Sequence, residues 1–270
     1  MVVCRAMRIS VILTDLDGTL LSQEGQLVPS ARQVLRVLRA MKVPVVPLTS
    51  KTEPELRGWL GEIDGGGVGA FENGAGLVTP LGVEVFPGAV PVSELREVLD
   101  EIRHRLSLPV SALDELPDAT LTAITGLEAG ALARARDRSF DLPLLASVEA
   151  AKGLREALNG YPRVRLTAGG SFWHLHGRHD KADAARRVLA LVPPGGRSVG
   201  LGDAANDAGF LAIVDVPVLL PSPVGLDPRL REAFPGARVA PCPGGEGWSQ
   251  AVEALLASEP AVPRAQPEVA

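Results

Sequence analysis

Cysteine is nearly absent from this chain. The two in 270 residues, Cys4 and Cys242, have no metal-ligand spacing. They could form one bridge at most, so neither a disulfide framework nor a thiolate metal site organises the molecule, and reduced thiols are expected. Aromatic residues are also scarce, at 4%, which leaves aliphatic side chains to fill the interior. There is no basic excess. A formal net charge of −5 provides no positive face to displace counterions from nucleic acid, so the partner expected is a small ligand. Long apolar runs are missing too: Ile9 to Leu13, the strongest, is cut off by Asp15 and Asp17. The expectation is a soluble, cytoplasmic protein with no membrane partner, and its oligomeric state is not readable.

What remains is an ordinary globular composition, 46% hydrophobic and 22% charged, on a chain whose length suggests roughly two domains, one inserted in the other. Met7 is an alternative start, just ahead of the first patterned strand. Residues 8–14 form a near-continuous apolar run, as in a parallel strand covered on both faces. Apolar positions at helical spacing follow from Ser30 to Lys42. A strand is predicted over 43–49, although Pro44 and Pro47 argue against a central place in a sheet. Thr52-Glu53-Pro54-Glu55 is a capping box opening a helix. After residue 177 the alternation resumes, with a helix over 181–192, strands over 198–201, 216–220 and 238–240, and a helix over 248–256. This alternation predicts an α/β fold with a doubly wound parallel sheet, residues 7–85 and 178–258.

Between them, residues 86–177 read as an inserted α+β domain. Helices are predicted over 93–106 and 148–158, strands over 120–125, 142–146, 163–167 and 172–175, and a further helix is opened by Thr125-Gly126-Leu127-Glu128. The Pro-rich tail, 259–270, reads as disordered.

In open parallel sheets ligands bind beyond the carboxyl ends of the strands, and four places there carry reactive groups. Asp15-Leu16-Asp17-Gly18-Thr19 can aim both carboxylates at the mouth of the sheet while Leu16 faces inward, and Gly18 lets the backbone turn tightly near an anion. Thr49-Ser50-Lys51 precedes a helix N-terminus, where amides favour phosphate. Lys181 begins another helix. Gly202 to Asp207 is a small-residue loop carrying Asp203, Asn206 and Asp207, whose oxygen ligands suit Mg²⁺. Each of these alone also reads as a plain turn, a capping loop or a solvated lysine. Phosphate-monoester hydrolysis needs a nucleophile, a proton donor, a metal and a fixed cation together, because its uncatalysed barrier is among the highest known.

In this chain order the four segments resemble the four motifs of the haloacid dehalogenase superfamily. The resemblance implies that Asp15 is the nucleophile, that Asp17 is the general acid/base, and that Thr49 and Lys181 bind phosphate. It also implies that Asp15, the Asp17 carbonyl and Asp203 hold Mg²⁺, with Asn206 and Asp207 supporting them. An insertion between the second and third motifs is similar to the cap of the Cof-like branch, which acts on phosphorylated sugars. Thr49 to Thr52, Phe71-Glu72-Asn73-Gly74-Ala75, Arg138-Ser139-Phe140 and Gly169 to His174 are similar to segments of mannosyl-3-phosphoglycerate phosphatases, although that family usually has arginine at Ser171, tyrosine at Trp173, glycine at Ala182 and serine at Ala204.

The implied reaction converts mannosyl-3-phosphoglycerate to mannosylglycerate and phosphate, a step of compatible-solute synthesis. Gly18, Ser50, Lys51, Asn73, Arg138, Ser171 and His174 would contact the substrate, and Arg138 would grip its carboxylate. Alternatives are another sugar phosphate such as glucosyl-3-phosphoglycerate, and a catalytically silent binding module, which would normally lack one of the aspartates or the lysine.

Overall fold

A computed structural model describes residues 8–63, 66–169 and 172–258. Met7, Cys4, Ser171 and the 259–270 tail lie outside the described residues. Twelve strands run through them in chain order: β1 (Ile9–Thr14), β2 (Val45–Pro47), β3 (Gly69–Phe71), β4 (Gly76–Thr79), β5 (Gly82–Val85), β6 (Val110–Ala112), β7 (Asp141–Ala146), β8 (Arg165–Gly169), β9 (Phe172–His176), β10 (Arg197–Gly202), β11 (Val216–Leu219) and β12 (Arg238–Val239).

The first sheet is parallel, in the order β12-β11-β10-β1-β2. The alternation of β1 explains how it is covered on both sides. Ile12 packs on one face with Val34, Leu38 and Trp248 of the helices Pro29–Ala40 and Gly244–Ala257. Val11 and Leu13 pack on the other with Ala184, Val188 and Phe210, from the helices Lys181–Leu189 and Ala208–Leu211. This is the doubly wound α/β arrangement the sequence predicts. β2 lies at the sheet edge and is only three residues long, consistent with its two prolines. It ends in a parallel bridge from Leu48 to Ala70 of β3. Among the described residues no helix is long and apolar enough to cross a membrane.

The antiparallel sheet β3-β4-β5 was not expected, because its strands are short, Gly-rich and joined by tight turns. A second antiparallel sheet, β6-β7-β9-β8, lies between β5 and β10 in the chain and has its own apolar cluster, including Leu95, Leu99, Leu144, Leu154 and Leu175. Here one prediction is corrected: residues 120–125 belong to a helix, Asp118–Thr125, not a strand. Pro117 before it and Asp118 in its first turn are start signals. Gly126, at φ +72°, ends it by donating its N–H to the Thr122 carbonyl (2.8 Å). These outweigh the β-branched residues between them. The next helix, Ala129–Arg136, begins after Glu128.

The inserted unit is fastened to the parallel-sheet unit by buried polar groups. The turn after β3 carries Glu72 and Asn73 in left-handed backbone conformations (φ 43° and 58°). The Glu72 carboxylate accepts from the Ser139 amide (2.9 Å) and the Phe140 amide (2.6 Å). Asn73 Nδ2 donates to Asp141 Oδ2 (3.1 Å), and Thr52 Oγ1 donates to the Arg134 carbonyl (2.8 Å).

Burial pushes the Glu72 carboxyl up to about 7, against the opposing pull of Arg138 and the two amides. A carboxyl whose pKa is raised on folding adds stability below its unfolded value, and that contribution is lost as pH rises through the folded value. Urea unfolding of wild type and Glu72→Gln should therefore show wild type losing on the order of 2–3 kcal/mol relative to the variant between about pH 4.5 and 7.5. A constant difference across that range would contradict the buried-acid assignment.

Candidate active site

β1, β2 and β10 deliver their carboxyl ends to one place. Asp15 follows β1, with its amide bonded to the Leu201 carbonyl (3.0 Å), and its side chain is buried. Leu16 turns inward and is fully buried, while Asp17 stays at the mouth with about half its side chain exposed. The chain then makes a wide turn, closed by the Leu21 amide on the Leu16 carbonyl (2.8 Å). Gly18 sits in this turn at φ +76°, and a Cβ there would stand 2.6 Å from Asp203 Oδ2. Only glycine allows the two loops to approach this closely.

Lys181 is 1% exposed, which removes the solvated-lysine reading. Asp180, at the helix N-cap, accepts from the Ala182 and Asp183 amides, and this starts the helix so that the lysine points under the sheet mouth. Its Nζ donates to Asp15 Oδ1 (2.6 Å) and Asp207 Oδ1 (2.7 Å). The other Asp207 oxygen accepts the Asp203 and Ala204 amides (3.0 and 3.1 Å), so Asp207 shapes the loop that carries Asp203. Both of its oxygens already have protein donors, which makes it a builder of the site more than a free ligand. Thr19 Oγ1 donates to Asp203 Oδ1 (2.9 Å).

Oxygens of Asp15, Asp203 and Asp207 lie within 4.8 Å of one another. Three carboxylates share one ammonium, and the electrostatics show the imbalance. Burial raises the Asp15 carboxyl well above its usual range, with Lys181 opposing and Asp207 and Asp203 adding to the rise. Burial, then Asp207, pushes Asp203 up to about 7. Burial alone would lower Lys181, but Asp15 and Asp207 hold it above its usual value. An all-oxygen site with surplus negative charge fits a hard divalent cation such as Mg²⁺.

Thr49, fully buried, is locked by its amide on the Ala70 carbonyl (3.0 Å), and its Oγ1 accepts from the Lys51 amide (3.1 Å). Lys51 Nζ pairs with Asp17 Oδ1 (2.9 Å). Burial would lower this amine, yet the Asp17 and Glu55 carboxylates raise it. Asn206 Nδ2 donates to Asn73 Oδ1 (3.2 Å), which joins the Asp203 loop to the β3 turn.

Three expected substrate contacts are placed differently. Arg138 is a correction: its Nε donates to the Ala135 carbonyl (3.1 Å), and its Nη1 to the Ser50 carbonyl and Asp141 Oδ2 (both 3.1 Å). With Nε and Nη1 engaged inside the protein, it ties the inserted unit to the Ser50 loop. Ser50 takes part in that tie through its carbonyl. His174 is buried, with Nδ1 2.7 Å from Asp141 Oδ2, and is a support of the same carboxylate. Ser171 falls outside the described residues. Among the residues overlooked in the sequence, Arg165, Thr167 and His176 border a cavity of about 370 Å³ that also touches Lys181, Asn73 and Asn206. The signal was the two-residue spacing of Arg165 and Thr167 on a strand.

No family model matches the chain. It is 27% identical over 267 residues to a glucosyl-3-phosphoglycerate/mannosyl-3-phosphoglycerate phosphatase of Methanococcoides burtonii, covering 91% of this chain and 97% of that protein. It is 27% identical over 270 residues to a protein of the same name from Persephonella marina, again covering 91% and 97%. A solved sugar phosphatase of haloacid dehalogenase subclass IIB superposes with a TM-score of 0.67 at 16% identity, over 91% of this chain and 98% of that one. The fold is that of the haloacid dehalogenase hydrolases. Within this fold the chain resembles the phosphoglycerate-ester phosphatases along nearly its whole length.

Gly18→Ala should fold but displace Asp203, lowering Mg²⁺ affinity and turnover by roughly tenfold or more, as disturbed metal-site supports do. Calorimetric Mg²⁺ binding equal to wild type would show that the close approach is not required.

Proposed function

We propose that this protein is a phosphomonoesterase that works through an aspartyl-phosphate on Asp15 and acts on mannosyl-3-phosphoglycerate. The observation that carries the reaction is the buried Lys181 bridging Asp15 and Asp207, with Asp203 alongside, at the mouth of a parallel sheet. In the first step an Asp15 carboxylate oxygen attacks phosphorus and the alcohol leaves with a proton from Asp17. In the second, Asp17 takes a proton from water, which attacks the phosphorus and releases phosphate and free Asp15.

Lys181 fixes the nucleophile and places positive charge beside the transferring group. The Thr49 loop lies ahead of the helix Glu53–Ile63 and offers phosphate a hydroxyl and amides. Lys51 holds Asp17 at the mouth. Asp15, Asp203 and the Asp17 carbonyl would hold Mg²⁺, which when bound offsets charge on the phosphoryl oxygens. The inserted unit, residues 86–177, acts as a cap over this site.

The substrate reading rests on the relatives' names, which pair glucosyl- with mannosyl-3-phosphoglycerate; the glucosyl ester is the second reading on the same ground. Asp15→Asn should remain folded with almost no activity, since an amide neither attacks phosphorus nor neutralises the metal. Asp17→Asn should lower kcat by about 10² to 10⁴-fold while KM changes little. Asp15→Asn turnover within about tenfold of wild type would rule out the covalent route, and a change confined to KM would remove Asp17 as acid/base. Activity should also require Mg²⁺ and fall in Ca²⁺, whose larger coordination number loosens in-line geometry; full activity in chelator would reject the metal assignment.

A further inference from the structure

The cavity beside Lys181 is lined by Arg155, Arg165 and Arg229 as well as by that lysine, against one carboxylate, Asp180. Asp180 Oδ1 is already engaged by the Ala182 and Asp183 amides (2.9 and 3.1 Å). The three arginines are not equally available. Arg229 is closed on Asp227, with Nη2 at 2.7 Å and Nε at 3.1 Å from its two oxygens. Arg165 donates Nη2 to the His179 carbonyl, and its Nε is buried with no partner. Arg155 meets no carboxylate among the described residues, and its guanidinium lies 5.4 Å over the Trp173 ring, which preorients it.

Arg165 Nη2 also lies 4.0 Å from Asp180 Oδ2, and Arg155 is exposed, so the cavity wall carries two guanidiniums against one carboxylate, a positive surplus that suits an anion. The other polar lining adds no charge. His176, which contacts Thr167 Oγ1 through Nε2 (2.9 Å), is kept neutral by burial, which lowers it to about 3. The cavity reaches Lys181, whose ammonium holds Asp15.

We infer that Arg165 and Arg155 are specificity-determining residues that grip a carboxylate on the leaving group, so that the substrate class is a phosphomonoester whose alcohol carries a second anionic group. This rests on the phosphatase reading and goes further, because it assigns the recognition to the β8 side of the inserted unit and not to Arg138. A planar carboxylate can accept from the Arg165 and Arg155 guanidiniums in charge-assisted bonds.

The test uses the full chain with Mg²⁺ and compares mannosyl- and glucosyl-3-phosphoglycerate with their carboxyl methyl esters and with p-nitrophenyl phosphate. In wild type, esterification should lower kcat/KM by roughly tenfold or more, the size expected for losing charge-assisted bonds. In Arg165→Gln and in the exposed-site variant Arg155→Ala, that penalty should shrink to within about twofold, because the group that senses the charge has been removed. Arg163→Ala, on the outer surface against Glu94 at 2.9 Å, should keep the wild-type penalty. Calorimetry of mannosylglycerate without metal should show the same loss of binding in the Arg155 and Arg165 variants.

An ester hydrolysed as fast as the acid by wild type, or an esterification penalty undiminished in both arginine variants, would overturn the assignment. Preference for a sugar bisphosphate over the glycerate esters would assign the cavity to phosphate and reject the carboxylate. Hydrolysis of p-nitrophenyl phosphate without the glycerate esters would leave the phosphatase reading standing and reject this inference alone. No hydrolysis of any substrate would reject the phosphatase reading and the inference with it.

Discussion

Everything in the reacting centre depends on one buried ammonium. Lys181 Nζ lies between Asp15 and Asp207, joining the end of β1 to the loop after β10 from a helix start beneath them. Without that charge, carboxylates crowded within 4.8 Å could not all ionise, and Asp15 would be among the groups that protonate. Such a cluster is a poor way to stabilise a core, since desolvating its ions costs as much as their attraction returns. What it supplies is a fixed carboxylate at the sheet mouth and a loop whose shape follows from Asp207 binding two amides. The geometry at Gly18 shows how tightly that loop is packed on the nucleophile's own turn.

The same economy of buried charge fastens the inserted unit. Asp141 Oδ2 receives Asn73, Arg138 and His174, and Asn73 in turn receives Asn206. A chain of four side chains therefore runs from the Asp203 loop to β9. Burial would raise the Asp141 carboxyl, but His174 and Arg138 hold it below the usual carboxylate range, so it stays ionised as the hub. Because β8 pairs with β9 in register, with Arg165 opposite His176 and Thr167 opposite His174, the residues facing the cavity are set by the same hub.

The place of the site was legible in the sequence because small residues and carboxylates interrupt apolar runs at the strand ends. Asp15, Thr49 and Asp203 stand at such interruptions and Lys181 at a helix start, and the structure brings Asp15, Lys181 and Asp203 together; the doubly wound sheet follows from the same alternation. The inserted unit was less legible. Residues 120–125 read as a strand by their β-branched content, although the decisive information lay in the Pro117 and Gly126 punctuation. The role of Arg138 could not be read at all, since whether a guanidinium turns to solvent or into the protein depends on Asp141 and the Ser50 carbonyl, partners set by tertiary contact. The β3 turn illustrates the same limit: Glu72 and Asn73, in left-handed backbone conformations, send their side chains to Ser139, Phe140 and Asp141 of the inserted unit, partners set by tertiary contact.

Placed together, these contacts give the site a polarity that matches a doubly charged ester. On one side Asp15, Asp203 and Asp207 leave negative charge in surplus of Lys181, which suits a divalent cation. On the other, Arg165 and Arg155 leave positive charge in surplus of Asp180, which suits an anion. Under the proposed function Asp15 and Asp203 would hold the cation that offsets the phosphoryl charge, and the arginines would receive the leaving group. On the proposed reading the first surplus would act on a group common to all phosphomonoesters and the second on a group that only some of them carry, and the Asn206–Asn73–Asp141 chain links the Asp203 loop to the inserted unit that carries the arginines.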